Sequence, residues 1–240
     1  VGEVLKGQMK VFSFSVYGDN PIYTIGMLKN IALIREIFPD WHTFIYVPEN
    51  QNKDYVKKLE ENDKVMVMPM ANAGFFNSTW RFRAITYYLC EAMECRDADS
   101  RISVRDKAAI DEWLASDYKY HIIRDHPGGH HWAMNAGMWG AKRTEFISNI
   151  GRMLTDCQTI CPQYSKLPTF DQEFLRSAIY PHIVTESMVH DEYYKYEKQA
   201  KPINHDRKSN DFAFIGESID ENDVPRGDQR SPIRERYGHS

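Results

Sequence analysis

From Lys10 to Val16, strand-forming residues alternate between two faces, which predicts a first β-strand. Tyr17 to Pro21 reads as a turn. Thr24 to Phe38 then carries Ile25, Leu28, Ile31, Ala32, Ile34 and Phe38 at helical spacing, and Pro39 stops that helix. The apolar run Thr43 to Val47 predicts a buried strand. Asp54 to Asn62 reads as a charged surface helix and Lys64 to Pro69 as a third strand. A β-α-β-α-β order needs crossover connections, so it predicts a parallel sheet with helices on its faces.

The middle of the chain is less regular. Thr79 to Met93 reads as a helix with Trp80, Phe82, Ile85, Leu89 and Ala92 on or near one face, and Val104 to Leu114 as another. Tyr118 to Ile123 is a strand, and Met134 to Trp139 a short strand or tight segment. Glu145 to Met153 and Phe170 to Ile179 are helices, and a last strand starts near Ile183. The expected layout is a tag or linker remnant over 1–8, with Met9 a natural start, one α/β domain over 9–216, and an extended tail over 217–240.

Composition narrows the class. The 240 residues are 42% hydrophobic with a net charge of -4, enough for a core and against wholesale disorder. No run of about 18 apolar residues exists to span a membrane. The pI of about 6.2 and the lack of a Lys/Arg block argue against nucleic acid as a partner. Cys90, Cys95, Cys157 and Cys161 lack the close pairing of zinc ribbons, and Cys157 and Cys161 read as small buried apolar residues. With no apolar leader at the N-terminus, the expected location is the cytoplasm.

Candidate chemistry begins at Arg96-Asp97-Ala98-Asp99-Ser100-Arg101. Two carboxylates at i and i+2, after a segment that could be a strand, can face one point. Mg²⁺ or Mn²⁺ takes one or two carboxylates and fills its remaining positions with water and substrate phosphates. The segment before it, Cys90 to Cys95, carries Glu91 and Glu94 and fits a buried strand poorly; as a helix end it would displace the carboxylates. Further clusters follow at Arg124-Asp125-His126-Pro127, at Asn135 to Arg143 with its glycines, and at Asp171-Gln172-Glu173. Small residues let a ligand approach the backbone. His126, His130 and His131 lie on a Gly-Pro turn, which lacks the one-face geometry of a zinc pair. Trp132 and Trp139 are either sugar-stacking platforms or core, and Tyr193, Tyr194 and Tyr196 either line an acceptor groove or pack on the surface.

Together these pieces resemble nucleotide-sugar glycosyltransferases of the GT-A fold with a DxD motif. The resemblance is to the small single-domain enzymes of bacteria and to the chlorovirus class that glycosylates capsid protein. It rests on Trp80-Arg81-Phe82, Arg96 to Arg101, Asp111-Glu112-Trp113, Arg124 to Pro127, Gly137 to Gly140, Asp171 to Leu175 and Phe214 to Glu217. It implies an α/β fold of GT-A type, a mixed central sheet with helices on both faces. It implies transfer of a hexose or deoxyhexose, rhamnose among them, from a nucleotide-diphosphate sugar, with UDP favoured over GDP, to a glycan or glycoprotein acceptor. Mn²⁺ is expected ahead of Mg²⁺ by family habit, and a viral enzyme of this kind would work in the host cytoplasm.

The resemblance also assigns roles. Asp97 and Asp99 hold the metal, with the first either binding ribose or reaching the metal through water. His190 is the expected further ligand and His205 the runner-up. Ser15, Tyr17 and Gly18 start the nucleotide site, to which Ala98 and Gly137 also belong. Arg81 or Arg83 pairs with phosphate, since Arg forks suit phosphate oxygens. Arg124 and Asp125 bind donor-sugar hydroxyls, with Asp125 counted among the catalytic carboxylates. Asp171 stands near the reacting carbon, as base in an inverting enzyme or as support for the cation in a retaining one. Two other classes use the same features: a metal-dependent phosphohydrolase, and an inactive sugar-binding module on the same scaffold.

Overall fold

The computed structural model describes residues 8–160, 162–163 and 167–237. Residues 1–7, most of the expected tag segment, and Cys161 lie outside them. Strand β1 (Met9–Ser15) is followed by α1 (Pro21–Ile37), β2 (His42–Pro48), α2 (Lys53–Glu60) and β3 (Val65–Met70). This is the predicted β-α-β-α-β order. Local chemistry fixes the helix starts: Asn20 accepts the amide of Ile22 ahead of Pro21, and Asn52 accepts that of Tyr55.

A 3₁₀ helix, Gly74–Thr86, then crosses one face of the sheet and leads into β4 (Cys90–Cys95). The helix expected over Thr79 to Met93 is therefore two elements. The change comes at Tyr87, whose backbone is extended, and the chain turns into the sheet. Glu94, which made the segment look unlike a strand, is fully buried in β4 because His121 and Arg96 meet it.

Next come α3 (Val104–Leu114), with a capping box between Ser103 and Asp106, and β5 (Tyr120–Arg124). Strand β6 (Trp139–Lys142) starts where the predicted 134–139 segment ends. Helices α4 (Glu145–Ser148), α5 (Ile150–Ile160), α6 (Phe170–Phe174) and α7 (Tyr180–Ile183) follow, with a π turn over Leu175–Ile179 joining the last two. β7 (Ser187–Asp191) and α8 (Ser231–Tyr237) complete the order.

The seven strands form one sheet in the order β3-β2-β1-β4-β6-β5-β7. β6 runs antiparallel to both of its neighbours, and every other pairing is parallel. The sheet is thus mixed, and helices cover both faces, as the sequence predicts. Phe12, Phe14, Ile45 and Val47 pack with Met27, Ile31 and Ile34 of α1 and Trp113 of α3 on one face. Val11, Phe44, Tyr46 and Met93 pack with Trp80 and Phe82 of the 3₁₀ helix and Ile150 of α5 on the other. The chain leaves β1 toward β2 on one side and returns from β3 to β4 on the other. That reversal opens a crevice beyond the carboxyl ends of β1 and β4, where open α/β sheets bind ligands.

No described helix is long and apolar enough to cross a membrane. Residues 217–237, read from sequence as an extended tail, fold back on the body. The amide of Ile219 donates to the Asp99 carbonyl at 2.7 Å, and Ile233 is fully buried.

Candidate active site

The crevice is held by side chains from three directions. Asn30 of α1 donates from Nδ2 to the Ser100 carbonyl at 2.8 Å and accepts the Ile102 amide at 3.0 Å, so it clamps the loop after β4. Gly26 lets α1 lie against that loop, because a Cβ there would meet the Ala98 carbonyl oxygen at 2.3 Å. On the opposite face, Ser13 donates to the Arg81 carbonyl at 2.6 Å and Ser15 accepts the Arg81 amide at 3.0 Å. Two side chains of β1 therefore pin the backbone of Arg81.

Ser15, Tyr17, Arg81, Asp97, Ala98, Asp99 and Asp171 line one cavity of about 330 Å³, together with Tyr23, Ser78 and Pro168. Arg81 is its electrostatic centre. Nη1 pairs with Asp97 Oδ1 and Nη2 lies 3.1 Å from Asp171 Oδ2. Burial opposes the Arg81 charge, but Asp97 and Asp171 outweigh it and hold the guanidinium more firmly protonated than usual. Its Nε is buried without a partner. Burial, aided by the charge of Asp97, raises the pKa of Asp99, and Asp171 is raised by burial and by Asp97 against the pull of Arg81. Burial likewise raises the Tyr17 hydroxyl.

Three carboxylates thus face one cavity against one buried arginine. Among the described residues no three His, Cys, Asp or Glu side chains gather into a metal cage. A divalent cation still fits the Asp97–Asp99 pair. Burial first and the Asp97 charge second disfavour the ionised Asp99, a cost that a cation would offset, and Mg²⁺-type ions need only one or two carboxylates beside substrate oxygens. Gly137 makes room there, since a Cβ at that position would stand 1.8 Å from Asp97 Oδ2.

Other predicted residues are not brought to this cavity. His190 ends in β7, three strand spacings or about 14 Å from β4 across the sheet. Its Nδ1 meets His121 Nε2 at 2.8 Å, and its Nε2 meets Glu112 at 2.9 Å. Both ring nitrogens are engaged, which leaves neither for a metal beside Asp99. His205 lines a different cavity, with Arg105 and Arg207, and its carbonyl accepts from Arg105. Asp125 is buried between Arg105, at 2.7 and 2.8 Å, and Arg207, at 2.6 Å. Burial would raise this carboxyl, but the two arginines and the Ile215 amide hold it below its usual range. Arg124 is fully buried and serves Asp191 and Glu197. Arg83 sends Nη1 toward Gly151 of α5. Gly18 takes a positive φ of 79° beyond β1, and its carbonyl accepts from Gln51. Structurally, these six positions order the fold around the crevice rather than line it.

The histidine turn is similarly committed: His126 Nδ1 accepts the amides of Gly128 and Gly129, and His130 Nδ1 accepts that of Asp125. Trp139 is core, and the Tyr194 and Tyr196 hydroxyls donate to the carbonyls of Pro127 and His131. Cys157 is half-buried and packs against the core.

Sequence reasoning missed Tyr23, Ser78, Pro168 and the C-terminal segment. Ser78 lies just outside the helix read from sequence; it joins the site because residues three apart eclipse on the 3₁₀ helix and it sits one turn before Arg81. Residues 218–226 form a small hairpin beside Asp99, bridged at Ile219 and Pro225. Ser218 Oγ donates to Asp99 Oδ2 at 3.0 Å.

No family model matches the chain, and no curated protein matches it. Several solved structures give partial, low-scoring matches. A mannosyltransferase from Pyrobaculum calidifontis, solved with GDP-mannose and Mn²⁺, superposes with a TM-score of 0.45 at 14% identity. The match covers 62% of this chain and 48% of that one, so the chain spans about half the mannosyltransferase. A 4-diphosphocytidyl-2C-methyl-D-erythritol synthase from Anaerococcus prevotii matches with a TM-score of 0.45 at 8% identity, over 63% of this chain and 77% of that one. A cytidylyltransferase from Leptospira borgpetersenii matches with a TM-score of 0.40 at 12% identity, over 75% and 73%.

Proposed function

We propose that the protein is a metal-dependent glycosyltransferase that moves a hexose or deoxyhexose from a nucleotide-diphosphate sugar to a glycan or glycoprotein acceptor. The observation that carries this reading is the convergence of Tyr17 from β1, Arg81 from the 3₁₀ helix, Asp97 and Asp99 after β4, and Asp171 of α6 on one cavity at the point where strand order reverses. UDP is the favoured nucleotide, with GDP next.

Asp97 and Asp99 would hold the cation, Mn²⁺ ahead of Mg²⁺. When bound, it would neutralise charge growing on the departing diphosphate. Tyr17 and Tyr23, each more than a third exposed at the cavity, offer flat faces to the nucleoside. Arg81 orients both carboxylates that it touches. In the transfer, the bond from the sugar's anomeric carbon to the diphosphate oxygen breaks and one to the acceptor oxygen forms. The Asp171 carboxylate takes the acceptor's proton if configuration inverts; if it is retained, Asp171 faces the oxocarbenium-like centre and the acceptor's proton passes to the departing diphosphate oxygen. The anomeric configuration of the product, read by NMR, decides between these roles.

The test is a thermal-shift panel of UDP, GDP, CDP and dTDP, each with Mn²⁺, Mg²⁺ or EDTA. A nucleotide at 100 times its Kd stabilises by about 2.7 kcal/mol, which such a panel resolves. The expected result is a shift with one nucleotide that EDTA abolishes and that Asp99→Ala lacks while remaining folded. No shift with any nucleotide overturns the reading. Metal-dependent release of phosphate without sugar transfer would replace it with a hydrolase, and nucleotide-sugar binding without turnover with a binding module.

A further inference from the structure

The hairpin beside Asp99 is rooted firmly. Its tip residue Asp223, at a positive φ of 66°, is gripped by Lys29 at 2.5 Å and by Arg101 at 2.8 Å. Arg101 also donates to the Asp220 carbonyl at 2.7 Å, and the Asp220 side chain accepts the amides of Asn222 and Val224. At the hairpin's base, the amide of Arg226 donates to the Ser218 carbonyl at 2.9 Å. The backbone of Arg226 is therefore fixed beside Asp99.

Its guanidinium is held only loosely, by one long bond from Nη1 to Ser218 Oγ at 3.4 Å. Nη1 lies 3.9 Å from Asp99 Oδ2, beyond hydrogen-bond reach, and the side chain is 50% exposed. The contrast with Arg81 is sharp, since that guanidinium is buried and bonded to two carboxylates. Arg226 is a tethered cation close to Asp99, which lines a cavity whose carboxylates outnumber its buried arginine, and the Arg226 charge also reaches the Tyr23 hydroxyl. A divalent ion at Asp99 repels it. A diphosphate arriving with that ion gives the displaced fork a new partner, for which an arginine's planar donors are suited.

We infer that Arg226 is an internal counter-ion that couples the two ligands, opposing the divalent cation alone and favouring it when a nucleoside diphosphate accompanies it. This inference rests on the proposed metal site at Asp97 and Asp99. The two ligands then bind interdependently, and the metal by itself binds more weakly than the carboxylates would allow.

The test is calorimetric titration of wild type, Arg226→Ala and Arg226→Lys with Mn²⁺ alone, and then with UDP and GDP in saturating Mn²⁺. Arg226→Ala is expected to bind Mn²⁺ alone about fivefold tighter, the ratio matching the upper range for an exposed ion pair. It should bind the nucleotide several-fold more weakly, and Arg226→Lys should restore most of both. Opposite signs for the two ligands are the signature; a residue that merely props the hairpin would weaken both together. Equal shifts, or none, in a protein that binds Mn²⁺ and nucleotide overturn the role of Arg226 alone. Absence of Mn²⁺ binding by wild type and Arg226→Ala alike, with or without nucleotide, overturns the metal site and this inference with it.

Discussion

Gly137 and Asp97 stand so close that no methyl group fits between them: a Cβ at 137 would lie 1.8 Å from Asp97 Oδ2 and 2.5 Å from its Cγ. Asp97 cannot simply retreat, because Arg81 holds its other oxygen. Gly137→Ala should therefore push the carboxylate out of place. Overpacking of this kind costs about 1–3 kcal/mol, so the protein should stay folded while Mn²⁺-dependent nucleotide binding drops at least tenfold. Paired calorimetric titration and thermal melts check both halves. Unchanged binding would show that the Asp97 position does not matter to the site.

Arg81 supports two carboxylates at once, and its removal leaves both without their buried partner. Arg81→Met should lower stability by about 3–5 kcal/mol and abolish nucleotide binding. Arg81→Lys should not rescue binding, since one ammonium cannot reproduce a fork aimed at Asp97 and Asp171. Urea melts and a nucleotide titration on the folded fraction test this.

Asp125 predicts the reverse pattern. It balances Arg105 and Arg207 inside the fold and lies outside the cavity lining. Asp125→Asn should cost about 3–5 kcal/mol, because it leaves two buried guanidiniums short of one negative charge. Nucleotide affinity per folded molecule should stay within twofold of wild type. A large loss of affinity at unchanged stability would place Asp125 in the chemistry instead.

Stability should respond to acid through His130. Burial pushes its pKa down to about 3, and its Nδ1 accepts the Asp125 amide, which only the neutral ring can do. An unfolded histidine titrates near 6.5, so below that pH the unfolded state binds the extra proton. The contribution of His130 is fully present above about pH 6.5 and is lost as pH falls toward 3, by up to about 1.4 kcal/mol per unit. Urea midpoints at pH 7.5, 6 and 5 should fall for wild type, and the slope should be shallower in His130→Gln. Equal slopes would refute the assignment.

What the sequence revealed follows from how far each signal reaches. The β-α-β-α-β start and α3 depend on local periodicity and caps, and both stand in the structure. The pairing of Asp97 with Asp99 is likewise local. β4 was obscure because its polar residue is neutralised from elsewhere: Glu94 accepts from Arg96 at 2.8 Å and meets His121 at 2.6 Å, and Gly140 opposite it leaves the space. No window around Glu94 contains His121 or Gly140. His190 misled for the same reason, since adjacency to a strand end and an aspartate says nothing about which strand of the sheet it joins. The fold-back of residues 217–237 was hidden because its contacts with Asp99, Lys29 and Arg101 join positions 119 to 194 residues apart.

The single reversed strand has a consequence for how the crevice is built. β6 pairs Trp139 with Cys95, so the end of β4 lies beside the beginning of β6. Asp97 leaves the sheet where Gly137 is about to enter it, and the two loops meet head-on. Were β6 turned to run with its neighbours, residues 133–138 would open at the far rim of the sheet, some four residues or about 13 Å away. One change of direction thus lets a loop that precedes a strand share a rim otherwise built from loops that follow strands. The floor under Asp97 therefore comes from a different part of the chain than the carboxylates, yet its shape is bound to theirs through the close approach of Gly137.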